Sequence, residues 1–292
     1  MSRLTRFCLL LFCIVFTVLC FHDVAGFVDA SRRGLLLFSN SVLPVLFPFF
    51  FITSLAVQSG VRKPWQVFAF SLLGGYPTSA RMISELYEQG KITKRQALHL
   101  STTTSFPSPI FIIATVGVSL FASVQIGVIA FAAIIIGALL NGLFYRGRGE
   151  NQQLITTESK NHSTDFANAF STALFSAVQS ILLVGGLIVI FFIIGSQLDS
   201  LLNMPIGLDV VVSSVLEMTA GVFKLSSVAL NPMLQVILVT AILSFSGICV
   251  GMQGMLFFKK FGMTFRVYML YKTTHTLLAV AVAGGIAIVF GL

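Results

Sequence analysis

Leu72-Leu73-Gly74-Gly75-Tyr76-Pro77-Thr78-Ser79-Ala80-Arg81 decides how the chain is read. It closes an apolar stretch, residues 67–80, that is too short to cross ~30 Å of hydrocarbon as a helix. Two glycines and a proline stand where a spanning helix would have to continue. Residues 208–222 have the same character, with Glu217-Met218-Thr219-Ala220-Gly221 inside the apolar run. Both stretches are expected to be re-entrant helical hairpins that enter the membrane and return on the same side. Interrupted backbone at membrane depth persists only where protein or a water-filled cavity receives its unpaired polar groups.

The chain around these stretches is strongly apolar. Of its 292 residues, 56% are hydrophobic and 10% charged, and 29 are phenylalanine. A soluble domain carries about 25% charged residues, so an ordinary globular enzyme is excluded and an all-α polytopic membrane protein is expected. The net charge of +8 does not point to nucleic acid, because the charges sit singly or in pairs between apolar runs. Four cysteines, Cys8, Cys13, Cys20 and Cys249, lie in apolar stretches without metal-ligand or disulfide spacing and read as free thiols.

About seven spans are expected: residues 4–21, 35–57, 108–121 with the helix leading into it, 125–145, 179–198, 228–250 and 268–292. The first has two readings, signal peptide or retained helix. Its long apolar core, and the lack of a small-x-small site in His22-Asp23-Val24-Ala25-Gly26, favour a retained span with a cytoplasmic amino end. This divides the chain into an N-terminal span with an external loop (1–33), a first repeat (34–146), a polar cytoplasmic linker (147–165) and a second repeat (166–292).

Charge agrees with that topology. Of the 18 Lys and Arg, only Arg32, Arg33 and Lys224 fall outside, and Lys272 lies in the last span; Lys63, Lys91, Lys94, Arg95, Arg146, Lys259, Lys260 and the others fall inside. A weak repeat supports it further. Ser105-Phe106-Pro107-Ser108-Pro109-Ile110 aligns with Ser244-Phe245-Ser246-Gly247-Ile248, and Thr78-Ser79-Ala80-Arg81 falls near Thr219-Ala220-Gly221 at a similar spacing. Each half reads as span, hairpin, span, span, and the two halves enter from opposite sides. Inverted repeats with broken helices meeting near the midplane are a recurrent architecture of secondary transporters.

Function is sought at the four interruptions: Gly74 to Ser79, Ser105 to Pro109, Glu217 to Gly221, and Ser246 to Gly251. They are expected to converge on a substrate cavity, which nominates Gly75, Tyr76, Pro77, Thr78, Ser79, Ser108, Pro109, Thr219, Gly221 and Gly247. Glu217 is the carboxylate inside an apolar stretch, where a charge costs roughly 2.5 to 3.5 kcal/mol. It suits proton coupling, a substrate hydrogen bond, or a structural role in capping a helix or pairing with a lysine. Arg81, one turn beyond the first hairpin tip, suits either holding a carboxylate or anchoring at the interface. Gln253 suits a ligand bond or a helix contact. His99 and His275 read as core or interfacial histidines, and Glu85, Glu88, Lys91, Lys94 and Arg95 as a solvated cytoplasmic face. No phosphate-binding loop, metal-spaced cluster or nucleophile elbow appears, so no enzyme, cofactor or metal is expected.

Leu46-Phe47-Pro48-Phe49-Phe50, Gly74-Gly75-Tyr76-Pro77-Thr78-Ser79-Ala80-Arg81, Ser108-Pro109-Ile110-Phe111-Ile112, Leu216-Glu217-Met218-Thr219-Ala220-Gly221 and Ser246-Gly247-Ile248-Cys249-Val250-Gly251-Met252-Gln253 together resemble the YlbJ family of sporulation integral membrane proteins. That family lies within the nucleoside-recognition, or Gate, group. The resemblance implies a transporter-like role in moving dipicolinate, a small aromatic dicarboxylate, during spore formation. It marks Gly75, Tyr76, Pro77, Arg81, Pro109, Glu217, Gly221, Gly247 and Gln253. The expectation is therefore a bacterial-type cell-membrane transporter of a small organic anion, working by alternating access. Its partners are that solute and the lipid bilayer, no nucleic acid is involved, and a homo-oligomer stays open. A nucleoside-type permease and a non-transporting assistant of sporulation or envelope assembly are the alternatives.

Overall fold

The computed structural model describes residues 3–61, 63–146 and 165–292, and every regular element among them is helical. Arg62 and the expected linker, apart from Asp165, lie outside the described residues. Helix α1 (Arg3–His22) is followed at once by α2 (Val24–Leu37). The Asp23 carboxylate accepts the Gly26 N–H at 2.9 Å and starts the second helix, so residues expected to form an external loop are helical instead. The arms Leu10–His22 and Val24–Asn40 are bent by 105°, a broken span or a re-entrant pair rather than one straight crossing.

A π-helical turn (Phe38–Val42) leads into α3 (Leu43–Gln58). Two short helices, α4 (Pro64–Gly74) and α5 (Thr78–Glu88), follow and pack on each other. Next come α6 (Lys94–Thr104), a π-helix (Ile110–Leu120) and α7 (Val124–Phe144). The second half runs through α8 (Phe166–Leu202), another packed short pair, α9 (Ile206–Leu216) and α10 (Met218–Ser226), then α11 (Pro232–Phe245), α12 (Gly247–Phe258) and α13 (Phe265–Val289). Both halves thus have the order long helix, short pair, interrupted helix, long helix. Some contacts, though not all, correspond when the halves are exchanged. Helix α11 packs on α7 as α6 packs on α13, and α12 packs on α5 as the π-helix packs on α10.

Among the described residues, Val124–Phe144, Phe166–Leu202, Pro232–Phe261 and Phe265–Val289 are long and apolar enough to cross a membrane, and the bent pair makes a fifth if counted as one span. Their sequences say how they pack. Helix α13 buries a single face at helical spacing, with Tyr268, Lys272, His275, Ala279, Ala283 and Ala287 inside and Leu270, Leu277 and Ile288 outside. Its alanines admit α7 closely, because a β-carbon on Gly137 would lie 2.8 Å from the Ala279 Cα. Many large hydrophobic side chains are left exposed on the outside, the pattern of a helical bundle that sits in lipid.

Helix α8 defines the two ends of the bundle. Near its start, the Gln58 Nε2 donates to the Ala169 carbonyl at 3.1 Å, beside Lys91, which donates to the Val57 carbonyl. Near its finish, the Gln197 Nε2 donates to the Asp23 carbonyl at 3.0 Å, and Asp199 meets Lys224. The first end carries Lys63, Lys91 and Lys94; the second carries Asp23, Asp199 and Lys224.

Candidate substrate cavity

Each half presses the break of its short pair against the break of an interrupted helix. In the first, Gly75 has φ +64°, and the Tyr76 N–H donates to the Phe106 carbonyl at 2.9 Å. In the second, Gly247 has φ +75°, and a β-carbon there would stand 3.1–3.2 Å from the carbonyl oxygens of Ser214, Val215 and Leu216. Glycine is required at both places, by conformation and by the close approach of backbone.

A cavity of about 210 Å³ opens where the two assemblies meet. All four breaks reach it: Gly74, Tyr76 and Pro77 from the first, Pro107 and Ser108 from the second, Glu217, Met218 and Thr219 from the third, and Val250 and Gln253 at or just beyond the fourth. Leu46, Phe111 and Ile188 supply apolar wall. Along α8, at 1.5 Å per residue, Ile188 lies about 28 Å from Ala169 and about 16 Å from Asp199, so the cavity sits well inside the bundle.

Of the residues nominated from sequence, Tyr76, Pro77, Ser108, Glu217, Thr219 and Gln253 line this cavity. The others stand behind it. Gly75 and Gly247 make the close contacts just described. Gly221 packs α10 on α9, where a β-carbon would lie 2.3 Å from the Ser214 Oγ. The Thr78 hydroxyl donates back to the Gly74 carbonyl at 3.3 Å, Pro109 precedes the π-helix, and the buried Ser79 hydroxyl has no hydrogen-bond partner among the described residues.

Glu217 is 5% exposed and occupies the extended residue between α9 and α10. Its Oε2 accepts the Ala220 N–H at 2.8 Å, so it caps α10 as well as lining the cavity. The Tyr76 hydroxyl donates to the Met218 Sδ at 2.7 Å and lies 3.4 Å from the Leu243 carbonyl, tying the first break to the third. Gln253 donates only to the weak Cys249 Sγ acceptor at 3.4 Å among the bonds found for it, which leaves amide capacity for a ligand.

Arg81 does not line the cavity. Its guanidinium, on a residue 2% exposed, donates to the Phe50 carbonyl at 2.6 Å and the Ser176 Oγ at 2.7 Å and pairs with Glu85 at 2.8 Å. Glu85 also accepts from Ser54 and Ser176 at 3.3 Å, so it is turned inward and is no part of a solvated face. The i, i+4 spacing of Arg81 and Glu85 was the available signal. Glu88 does lie at the surface, paired with Lys260 at 2.7 Å. His275 is a core histidine, its Nε2 3.0 Å from the Ile134 carbonyl.

Sequence marks Lys272 only as a charge in the last span. It is 2% exposed; its Nζ donates to the Ser105 carbonyl at 2.8 Å and stands 5.3 Å from the centre of the Tyr76 ring, which forms part of the cavity wall. None of the ion pairs among the described residues includes it. A lone lysine in an apolar run of this length was the signal that sequence offered.

Backbone contributes to the electrostatics of the cavity. Helix α5, the π-helix and α10 all begin at or beside its wall, next to Pro77, Ser108 and Glu217. Helix starts carry partial positive charge. Among the described residues no Lys or Arg lines the cavity, and Glu217 brings the one carboxylate. No group of three or more His, Cys, Asp or Glu suited to a metal occurs among the described residues.

No protein-family model matches the chain, and no solved structure matches it. Among curated proteins it is similar to the sporulation integral membrane protein YlbJ of Bacillus subtilis (strain 168), 25% identical over 287 residues that cover 80% of this chain and 70% of that protein. The resemblance read from the motifs is thereby supported, and with the spanning helices it makes the chain a multi-pass membrane protein.

Proposed function

We propose that the chain is a transporter of a small organic anion, a dipicolinate-like aromatic carboxylate, and that the cavity at the four breaks is its binding site. The observation that carries this reading is the convergence of helix starts on one cavity, those of α5 and the π-helix being open to a solute and that of α10 being capped by Glu217. Broken helices that aim their amino ends at a midplane site hold anionic substrate groups in secondary transporters. Tyr76 and Phe111 give the cavity a surface for a flat ring, and Ser108, Thr219 and Gln253 give it neutral hydrogen-bonding groups. Lys272, behind the Tyr76 ring, adds positive potential without touching the solute.

The matching element order of the halves, and the contacts that α6 and α11, α5 and α10 share when the halves are exchanged, support two repeats of inverted orientation that rock about the cavity. Placing the Lys63, Lys91 and Lys94 end in the cytoplasm follows the positive-inside rule. The similarity to the Bacillus protein supports a role in sporulation.

One observation favours a second reading. The absence of Lys and Arg from the cavity lining, among the described residues, suits a neutral, ring-bearing solute of nucleoside type as well as it suits a carboxylate held by helix ends. Uptake by the full chain in sealed proteoliposomes separates the two. Saturable dipicolinate uptake, blocked by other aromatic carboxylates and untouched by uridine, supports the anion reading; the reverse pattern supports the nucleoside reading.

A further inference from the structure

A second pocket, of about 140 Å³, lies between α2, α8, α9 and α10. Its α8 residues Phe192, Ser196 and Asp199 follow Ile188 of the central cavity along the same helix, so the pocket runs from cavity depth towards the Asp199 end of the bundle. Glu217 lines both spaces. Its side chain is held in place by the Ala220 N–H at 2.8 Å, while its backbone joins the two short helices, the N–H donating to the Ser213 carbonyl at 2.8 Å and the carbonyl accepting the Gly221 N–H at 3.1 Å.

The outer rim is polar. Lys224, 27% exposed, pairs with Asp209 at 2.5 Å and stands 3.9 Å from Asp199, which is 46% exposed. Arg33, Asp199 and Lys224 thus give the pocket charged walls. The opposite side of the molecule is closed differently: Arg81 and Glu85 fasten α5 to α3 and α8 through Phe50, Ser54 and Ser176, all drawn together in one hydrogen-bonded cluster.

We infer that the pocket between α2 and α10 is the access vestibule of the central cavity, and that the Glu217 side chain is the gate between them. The route follows from geometry alone; that a small organic anion travels it rests on the transport reading. Turning Glu217 away from Ala220 removes the shared wall and joins the two spaces, with little displacement of either helix of the pair.

Thiol accessibility in the reconstituted full chain tests this without any substrate. With Cys8, Cys13, Cys20 and Cys249 replaced by alanine, Ser196→Cys reports the vestibule and Thr219→Cys the cavity. A charged, membrane-impermeant methanethiosulfonate is expected to label Ser196→Cys from the Asp199 side only. It is expected to label Thr219→Cys slowly, and at least tenfold faster once Glu217→Ala is added. Should Glu217→Ala fail to fold, Ser196→Trp provides the second arm, expected to slow labelling of Thr219→Cys at least tenfold. Labelling of Ser196→Cys from the other side, or of Thr219→Cys at a rate that neither substitution changes, overturns the gate. A failed transport reading looks different: the labelling pattern holds and no carboxylate is taken up.

Discussion

Gly75 and Ser108 approach so closely that a β-carbon on Gly75 would lie 2.5 Å from the Ser108 backbone nitrogen. This contact fixes the first hairpin against the interrupted helix, and with it two of the four breaks that meet at the cavity. Gly75→Ala must strain a backbone at φ +64° and displace the neighbouring chain, at a combined cost of at least about 1–2 kcal/mol. A lowered thermal transition in detergent is expected. Gly186→Ala, where a β-carbon meets nothing within 4 Å, is expected to leave the transition unchanged.

Arg81 is expected to matter for assembly rather than for substrate. Arg81→Ala strips Glu85 of its cation and leaves the Phe50 carbonyl without that donor, a loss of about 3 kcal/mol for a broken buried pair. Adding Glu85→Ala should recover part of the stability, as measured by thermal unfolding. Folded Arg81 variants should show reduced amounts of protein but an unchanged KM for uptake.

Lys272 is expected to behave in the opposite way. Lys272→Met replaces a buried, unpaired ammonium, which is costly to desolvate, with an apolar chain of similar length, and this gain offsets the lost bond to the Ser105 carbonyl. The thermal transition should hold or rise, while uptake falls at least tenfold because the positive charge behind Tyr76 is gone. Loss of folding with no selective loss of uptake would make Lys272 structural.

The contrast between these two cations shows what sequence could and could not reveal. Breaks at Gly74-Gly75-Tyr76-Pro77, Pro107-Ser108 and Glu217 were legible because glycine, proline and a charge interrupt apolar runs, and the structure puts all of them on or against one cavity. Arg81 looked equally promising by position, but its fate depended on Ser176, a residue 95 positions away that only the fold brings near. Lys272 was visible as a charge, yet its neighbour Tyr76 lies in the other half of the chain. The helical nature of residues 24–33 was hidden because Asp23, which reads as part of a loop, caps a second helix instead.

Glu217→Gln separates capping from charge. The amide oxygen can still accept the Ala220 N–H, so the fold is expected to persist. A carboxylate substrate meets like charge in the cavity when Glu217 is ionised, and none after the substitution. Uptake by the parent chain should therefore fall as pH rises and Glu217 loses its proton, whereas the Gln variant should respond little over the same range. Parallel pH profiles would remove Glu217 from coupling.

The central claim is that the four breaks form one binding site for a small aromatic carboxylate. Direct binding of dipicolinate to the purified full chain, by calorimetry, compared with Gln253→Leu and Thr219→Val, tests it. Both substitutions remove a hydrogen-bonding group from the cavity wall while conserving size. The account expects one saturable site in the parent chain and at least tenfold weaker binding in each variant, with unchanged thermal transitions. No binding by the folded parent chain, or equal binding by all three proteins, would contradict it.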